Sequence, residues 1–393
     1  MRAATRSVCL LMLASPLAAQ SASRADTVRA AVTALIAEDS RTPFFFATVS
    51  GLAIDDKGRV YVSDGGEARI AVFTADGKSL ATIGRRGKGP GEFEWPTGPV
   101  VGNDGALYVR NMSEVARFVT DPKTGVLGRF DRAFAGPAMA PWMSKLATVI
   151  DKSGRLHFPL EWGSQADGLT HNAYQRFALD GRALDSIAVP VQPTARSNWA
   201  SVPISKGSGR IVKGINVVPF HPVPVFAVSA AGTILSSPSD RYVLRETDAM
   251  MRPLRNIERS VTPLPIPPVE RADSVRALAR RLDSLTIPLS QVNGVSEEVR
   301  ARRLPTTYPV FRSLSTAADG SIWARRWSAA TQRGSSWFDV LGADGQYLRT
   351  VLVPVDCATL PAPVIRGSVL ACVQLAPDTD AETVVIAQIP VRH

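Results

Sequence analysis

Three oxygen-bearing side chains occupy similar places along the sequence and could act as ligands for a cation. Asp64, Asn111 and Glu161 each end or closely follow an apolar run. Carboxylate and amide oxygens are typical ligands of Ca²⁺, and Zn²⁺ also accepts carboxylates. If these side chains meet at one mouth of the fold, they predict a divalent-cation site. Pro238 and Val373, at the corresponding positions later in the chain, offer no ligand.

A second group combines a carboxylate, an aromatic ring and an imidazole in one loop. Glu161, Trp162 and His171 all lie in the long loop predicted over residues 161–172. These residues predict a site for a polar ligand or a metal ion, and a solvated loop without a ligand is the alternative. Arg325, Arg326 and Trp327 form a third group of candidate binding residues.

Motifs of known catalytic chemistry do not occur in the sequence. It contains no G-x-S-x-G, no H-E-x-x-H and no Cys/His cluster with metal-ligand spacing. The sequence therefore favours binding without catalysis and no required cofactor. The alternative is a metal-dependent hydrolase or lyase that uses Ca²⁺ or Zn²⁺.

A hairpin repeated six times must position these side chains. The repeats begin at Gly58, Gly105, Gly154, Gly232, Gly320 and Gly367, and their third residues are Val60, Leu107, Leu156, Ile234, Ile322 and Val369. Where no insertion intervenes, the glycines are 47 to 49 residues apart, a spacing typical of propeller blades. His157 is the fourth residue of its repeat, a position that Tyr61, Tyr108 and Trp323 occupy in other repeats. This predicts that His157 packs between blades rather than binding a ligand.

The repeat predicts an all-β protein, a six-bladed β-propeller of four-stranded antiparallel blades, forming one domain over residues 21–393. The last blade reaches only its third strand, residues 382–391, before the sequence ends. Residues 28–37 are expected to supply its outer strand and close the ring. Their apolar spacing would also suit a helix.

Two insertions interrupt the repeat, at residues 190–222 and 260–308. The first is rich in Pro, Ser and Lys and predicts a loop. The second predicts an amphipathic helix over residues 270–285, between blades four and five, and a further helix beginning near Ser296.

The longest loops are expected on one face of the ring. Both insertions follow fourth strands, and the loops at residues 161–172 and 326–336 follow second strands, so all four emerge on the same side. We call this side the loop face. Long loops on a rigid scaffold often carry function, so we expect the binding site there and at the channel mouth. The alternative is that the insertions only cover apolar blade surface.

Part of the sequence resembles a known family of propellers. Residues 50–55, 58–64 and 69–73, followed by Gly87-Lys88-Gly89-Pro90-Gly91-Glu92-Phe93 and Pro96, are similar to an NHL-type blade of six-bladed, TolB-like β-propellers. The resemblance is specific over residues 50–130 and looser beyond. It implies likeness to secreted bacterial propellers with no settled activity. Some propeller hydrolases and lyases bind an axial cation, which is the basis of the lactonase-like alternative.

The N-terminus predicts export. Residues 1–20 combine Arg2 and Arg6 with an apolar run and the small residues Ala18 and Ala19, as in a secretory signal peptide. We therefore expect a secreted or periplasmic protein with no transmembrane segment after processing. The formal net charge is +10, but many of the basic residues lie among acidic residues in the sequence. No nucleic-acid partner is therefore expected.

Removal of the signal peptide leaves two cysteines, Cys357 and Cys372, which predict one disulfide in an exported chain. The sequence as a whole predicts an exported, monomeric binding or scaffold protein. It would engage a partner protein, a peptide or a small polar ligand on the loop face. A purely structural role in an envelope assembly is a third possibility.

Overall fold

The structure is a computed structural model that describes residues 26–38, 42–138, 145–162, 171–192, 199–206, 209–216, 219–284, 305–328, 332, 334–376 and 381–390. The predicted signal peptide and the helix predicted near Ser296 lie outside these residues. Three short strands come first: β1 (Thr27–Arg29), β2 (Ala31–Ala37) and β3 (Thr42–Pro43).

Six sheets follow in chain order. The first blade contains β4 (Val49–Ile54), β5 (Val60–Asp64), β6 (Arg69–Phe73) and β7 (Ser79–Ile83). The second contains β8 (Pro96–Val101), β9 (Leu107–Asn111), β10 (Glu114–Thr120) and β11 (Leu127–Ala135). The third contains β12 (Val149–Ile150), β13 (Arg155–Trp162), β14 (His171–Ala178) and β15 (Ala183–Ala188).

A two-stranded hairpin, β16 (Trp199–Lys206) and β17 (Gly209–Asn216), separates the third and fourth blades. The fourth blade contains β18 (Val225–Val228), β19 (Ile234–Ser237), β20 (Val243–Thr247) and β21 (Pro253–Glu258), and helix α1 (Pro268–Ser284) follows it. The fifth contains β22 (Phe311–Thr316), β23 (Ile322–Arg326), β24 (Ser336–Leu341) and β25 (Tyr347–Val353). The sixth contains β26 (Val364–Arg366), β27 (Val369–Leu375) and β28 (Glu382–Gln388).

Each blade is an antiparallel meander, which confirms the predicted six-bladed propeller. The six repeat glycines have positive φ angles between 58° and 93°, a conformation that glycine adopts without a steric penalty. The apolar third residue of every repeat is at most 7% exposed. The repeated pattern therefore marks one turn and one core position in each blade.

The N-terminal segment closes the ring as strands, not as a helix. β2 pairs antiparallel with β28 and becomes the fourth strand of the sixth blade. β1 instead pairs parallel with β25, the outer strand of the fifth blade, and the Ala30 N–H donates to the Leu352 carbonyl over 2.8 Å. One short segment thus holds two blades together.

The two insertions differ in how well the sequence predicted them. The first contains the β16–β17 hairpin, so its prediction as a loop was wrong. The second contains α1 close to the predicted bounds, and α1 begins at a proline, a residue favoured in the first turn of a helix. Over the described residues, no helix is long and apolar enough to span a membrane.

The predicted disulfide is present. It joins Cys357, on the connector between the fifth and sixth blades, to Cys372 on β27, with Cα atoms 5.6 Å apart. Both cysteines are buried. The disulfide therefore anchors this connector to the sixth blade.

Candidate functional site

The inner strands of all six blades surround a channel with a volume of about 400 Å³. Its wall is largely apolar. Every blade contributes at least one aliphatic residue to the wall, among them Leu52, Val100, Val149, Val225, Leu314 and Val364. This cavity lies within the usual size range of small-molecule sites, roughly 300–1,000 Å³.

Positive side chains lie at both ends of the channel. Lys145 and Arg312 lie near the starts of inner strands, at the loop face, whereas Lys152 and Arg366 follow inner strands at the opposite face. Asp151 is the one acidic residue among the described residues that line the channel. Three of these cations are ion-paired with carboxylates beyond the lining: Lys145 with Glu382, Arg312 with Asp356 and Arg366 with Asp56. The lining therefore combines an apolar wall with ion-paired positive side chains at its ends.

Asp64 holds the chain segment that leads into its own blade. Its carboxylate accepts hydrogen bonds from the N–H groups of Ala47 (3.2 Å), Thr48 (3.0 Å) and Glu67 (3.2 Å), and the Arg69 guanidinium lies 3.7 Å away. The side chain is fully buried. Its oxygens are therefore engaged by the protein itself.

Asn111 has the same role in the second blade. Its Oδ1 accepts from the N–H groups of Glu94 (2.9 Å) and Trp95 (3.0 Å), which precede β8. The oxygens of Asp64 and Asn111 thus accept backbone hydrogen bonds, and a cation site at these two side chains stays a prediction. Among the described residues, no group of three or more His, Cys, Asp or Glu is arranged to hold a metal ion.

The third-blade candidates lie at the end of one hairpin. β13 and β14 pair Glu161 with Asn172 and Trp162 with His171, so the strands extend into residues that the sequence predicted as part of a loop. The side chains of Glu161 and Trp162 lie outside the described part of the structure. A binding role for this group stays a prediction.

Arg325 and Arg326 point in different directions because successive residues of a strand face opposite sides. Arg325 is 1% exposed, and its Nη2 donates to Oδ1 of Asp356. The Nε of Arg326 lies 3.2 Å from Asp339, which also pairs with Arg259 over 3.0 Å. The structure therefore separates two arginines that the sequence grouped together.

Arg312 completes a cluster with Arg325 and Asp356 at the loop-face mouth. Arg312 lines the channel, and its Nη1 lies 3.3 Å from Oδ1 of Asp356. Its guanidinium lies 4.9 Å from the centre of the Trp327 ring, a cation–π contact. Burial, together with the positive charge of Arg312, lowers the pKa of Arg325 to about 10.

Trp327 belongs to an aromatic group beside this cluster. Its ring stacks on Tyr308 with a centroid distance of 5.7 Å and an interplanar angle of 19°. Phe220 contacts both rings edge-on. Sequence reasoning found Arg325 and Trp327 but missed Arg312 and Asp356, because these two have no distinctive place in the repeat.

Comparison with known proteins supports the fold. A family model described as a 6-bladed beta-propeller matches residues 41–115. No curated protein matches the sequence. The finer resemblance to NHL-type and TolB-like propellers stays a prediction.

Several solved structures are similar in fold. A protein of unknown function from Bacteroides caccae is 13% identical, with 81% of this chain and 85% of that chain covered and a TM-score of 0.39. Virginiamycin B lyase from Staphylococcus aureus is 10% identical, with coverage of 86% and 94% and a TM-score of 0.39. A gluconolactonase from Xanthomonas campestris is 12% identical, with coverage of 88% and 87% and a TM-score of 0.42. At these identities the likeness concerns the fold alone.

Proposed function

We propose that this propeller is a binding protein that holds a small molecule in its central channel. The observation that supports this is the channel itself, about 400 Å³ in volume with an apolar wall and positive side chains at its ends. Such a cavity suits a ligand with an apolar body and a polar or charged group. On the basis of residues 1–20, we also propose that the protein is secreted or periplasmic.

Among the partners that the sequence allows, the channel favours a small molecule over a folded protein. Its lining comes from inner strands buried in the ring, whereas a protein partner would need an exposed surface. The loop face remains the proposed side of access, because it carries the β16–β17 hairpin and α1.

The proposal is tested by filling the channel. Val364 lies on the inner strand of the sixth blade and lines the channel, so Val364→Trp should reduce its volume. Leu348→Trp, on the exposed outer part of the fifth blade, is the matched control. Thermal unfolding is measured with octanoate, 1-octanol, octylamine and octyl phosphate, which share one apolar chain.

At least one of these probes should raise the unfolding temperature of the wild type and of Leu348→Trp, because a ligand that binds only the native state stabilises it. Val364→Trp should lose that response. Val100→Phe fills the same channel from the second blade and replaces Val364→Trp if the latter does not fold. No response to any probe, or an equal response in a folded channel-filling variant, would contradict the proposal.

A further inference from the structure

We propose that Arg312 and Arg325 bind the carboxylate of a monocarboxylic acid whose apolar body lies in the channel. This inference rests on the proposed function and names the class of ligand. It depends on three observations: the charge balance of the cluster, the unused donors of Arg325, and the position of Arg312 on the channel wall.

The cluster carries more positive than negative charge. Two guanidinium groups share Oδ1 of one carboxylate, that of Asp356, whose side chain is 47% exposed. Arginine stays protonated at neutral pH, so the three groups together carry one net positive charge. A bound monoanion would neutralise that charge, whereas a dianion would leave an excess of negative charge.

Arg325 has hydrogen-bond donors that the protein does not use. In the described part of the chain, its Nε and Nη1 are buried and have no hydrogen-bond partner. A buried, unpaired donor is unfavourable, and more so on a charged group. Arg325 does not itself line the channel, so an acceptor that enters beside Arg312 reaches these donors after a shift of the Arg325 side chain. A carboxylate oxygen is the acceptor that arginine binds best.

Arg110 provides an internal comparison. It occupies the same position of the repeat in the second blade and is also buried. Its Nη2 donates to the carbonyls of Pro137 and Ala138, each over 3.0 Å, so among its buried nitrogens the Nε alone lacks a partner in the described part of the chain. Arg325 lacks such carbonyl partners and shares its one carboxylate with a second arginine.

Arg312 connects this cluster to the channel. It lines the cavity, its side chain is 30% exposed, and Leu314 continues the apolar wall two residues along β22. Trp327 lies under its guanidinium and restricts where that group can move. A carboxylate at the cluster would therefore leave its apolar chain directed along an apolar wall.

The test compares four probes with the same eight-carbon chain, by isothermal titration calorimetry on the full mature protein. Octanoate should bind the wild type, and 1-octanol and octylamine should bind at least about tenfold more weakly, because they cannot accept charge-assisted hydrogen bonds from arginine. Octyl phosphate distinguishes the two oxyanion sources. Tighter binding of octyl phosphate than of octanoate would overturn the assignment of a carboxylate.

Two variants test the residues. Arg325→Met and Arg312→Gln should each weaken octanoate binding at least about tenfold while leaving the affinity for 1-octanol nearly unchanged. Arg349→Met removes one positive charge from the outer strand of the same blade and should bind octanoate like the wild type. If Arg325→Met does not fold, Arg312→Gln decides, since Arg312 is partly exposed.

The outcomes separate the two proposals. If 1-octanol binds as tightly as octanoate and Val364→Trp abolishes both, the channel is a site but the carboxylate assignment is wrong. If octanoate binds and neither arginine variant weakens it, the assignment is also overturned. If no probe binds the wild type, the channel proposal itself fails, and the carboxylate assignment falls with it.

Discussion

The Nε2 atom of His157 lies 2.9 Å from Oδ2 of Asp151, and both side chains are fully buried. In the first two blades the same contact is made by a tyrosine: Tyr61 donates to Asp55 over 3.0 Å and Tyr108 to Asp104 over 2.7 Å. The third blade thus has a buried histidine where the first two have a tyrosine, and it contacts Asp151 and Tyr174 of its own blade. Packing of His157 between blades stays a prediction.

Acidification should destabilise the protein through His157. Burial lowers the pKa of His157 below its ordinary value of 6.5, although Asp151 opposes the shift. The unfolded chain therefore binds the proton more readily than the folded protein, and stability decreases as the pH falls below 6.5. Urea unfolding at pH 7.5, 6.5 and 5.5 should show this loss. The variant His157→Phe should show much less of it, and His171→Gln should show it in full.

A second loss should follow at lower pH. Burial alone would raise the pKa of Asp151, but hydrogen bonds from His157 and Arg155 outweigh it and lower the pKa to about 2. The ionised carboxylate stabilises the fold above the ordinary pKa of 3.8, and this contribution is lost as the pH falls towards 2.

For the histidine prediction, unchanged stability between pH 7.5 and 5.5 in the wild type would contradict the role of His157.

Replacing Arg325 should not destabilise the protein. Arg325→Met removes two buried donors without partners, and Asp356 keeps its contact with Arg312. We expect the free energy of unfolding to stay nearly the same, because Asp356 is half-exposed and its charge stays solvated when Arg325 is removed. Guanidinium chloride unfolding measures this.

Arg110→Met is the matched comparison for that experiment. Arg110 donates to backbone carbonyls, so its loss should lower the free energy of unfolding by about 1–3 kcal/mol. Equal losses in the two variants would show that Arg325 is a structural residue like Arg110. That result would remove the stability argument for a ligand at Arg325.

Asp64 should be required for stability. Asp64→Ala leaves three backbone N–H groups without their acceptor and should lower the free energy of unfolding by about 2–4 kcal/mol. Asp64→Asn keeps one acceptor oxygen, as Asn111 does in the second blade, and should cost less. Urea unfolding of both variants tests the order. A loss below about 0.5 kcal/mol in Asp64→Ala would argue against this role.

The disulfide should contribute measurably to stability. Thiol titration of the unfolded, non-reduced mature protein should find no free thiol. Because the bridged cysteines are 15 residues apart, Cys357→Ala combined with Cys372→Ala should lower the free energy of unfolding by about 3 kcal/mol. Two free thiols in the wild type would refute the pairing in solution.

The fold could be predicted from the sequence because each blade repeats the same local requirements. Gly58 and its five counterparts need a positive φ angle, and Val60 and its counterparts need a buried place, so both leave a periodic signal. The β16–β17 hairpin left no such signal, because its sequence has no counterpart in the repeat. Its prediction as a loop followed from composition alone.

The site was harder to predict than the fold. Asp64 and Asn111 end equivalent strands, but the sequence does not show that backbone N–H groups reach their oxygens first. Arg312 and Asp356 lie far apart in sequence, and only the packing of the fifth blade brings them to Arg325. Contacts of this kind depend on side-chain direction, which a strand pattern does not specify.

Ring closure also constrains the order in which the protein can fold during synthesis. β1 and β2 are made before any blade, yet their partners β25 and β28 belong to the last two blades. The closing strands can therefore pair with these partners only after all the blades from the first to the fifth have been made. The contacts that close the ring are thus among the most distant in the sequence, and they form after the blades between them.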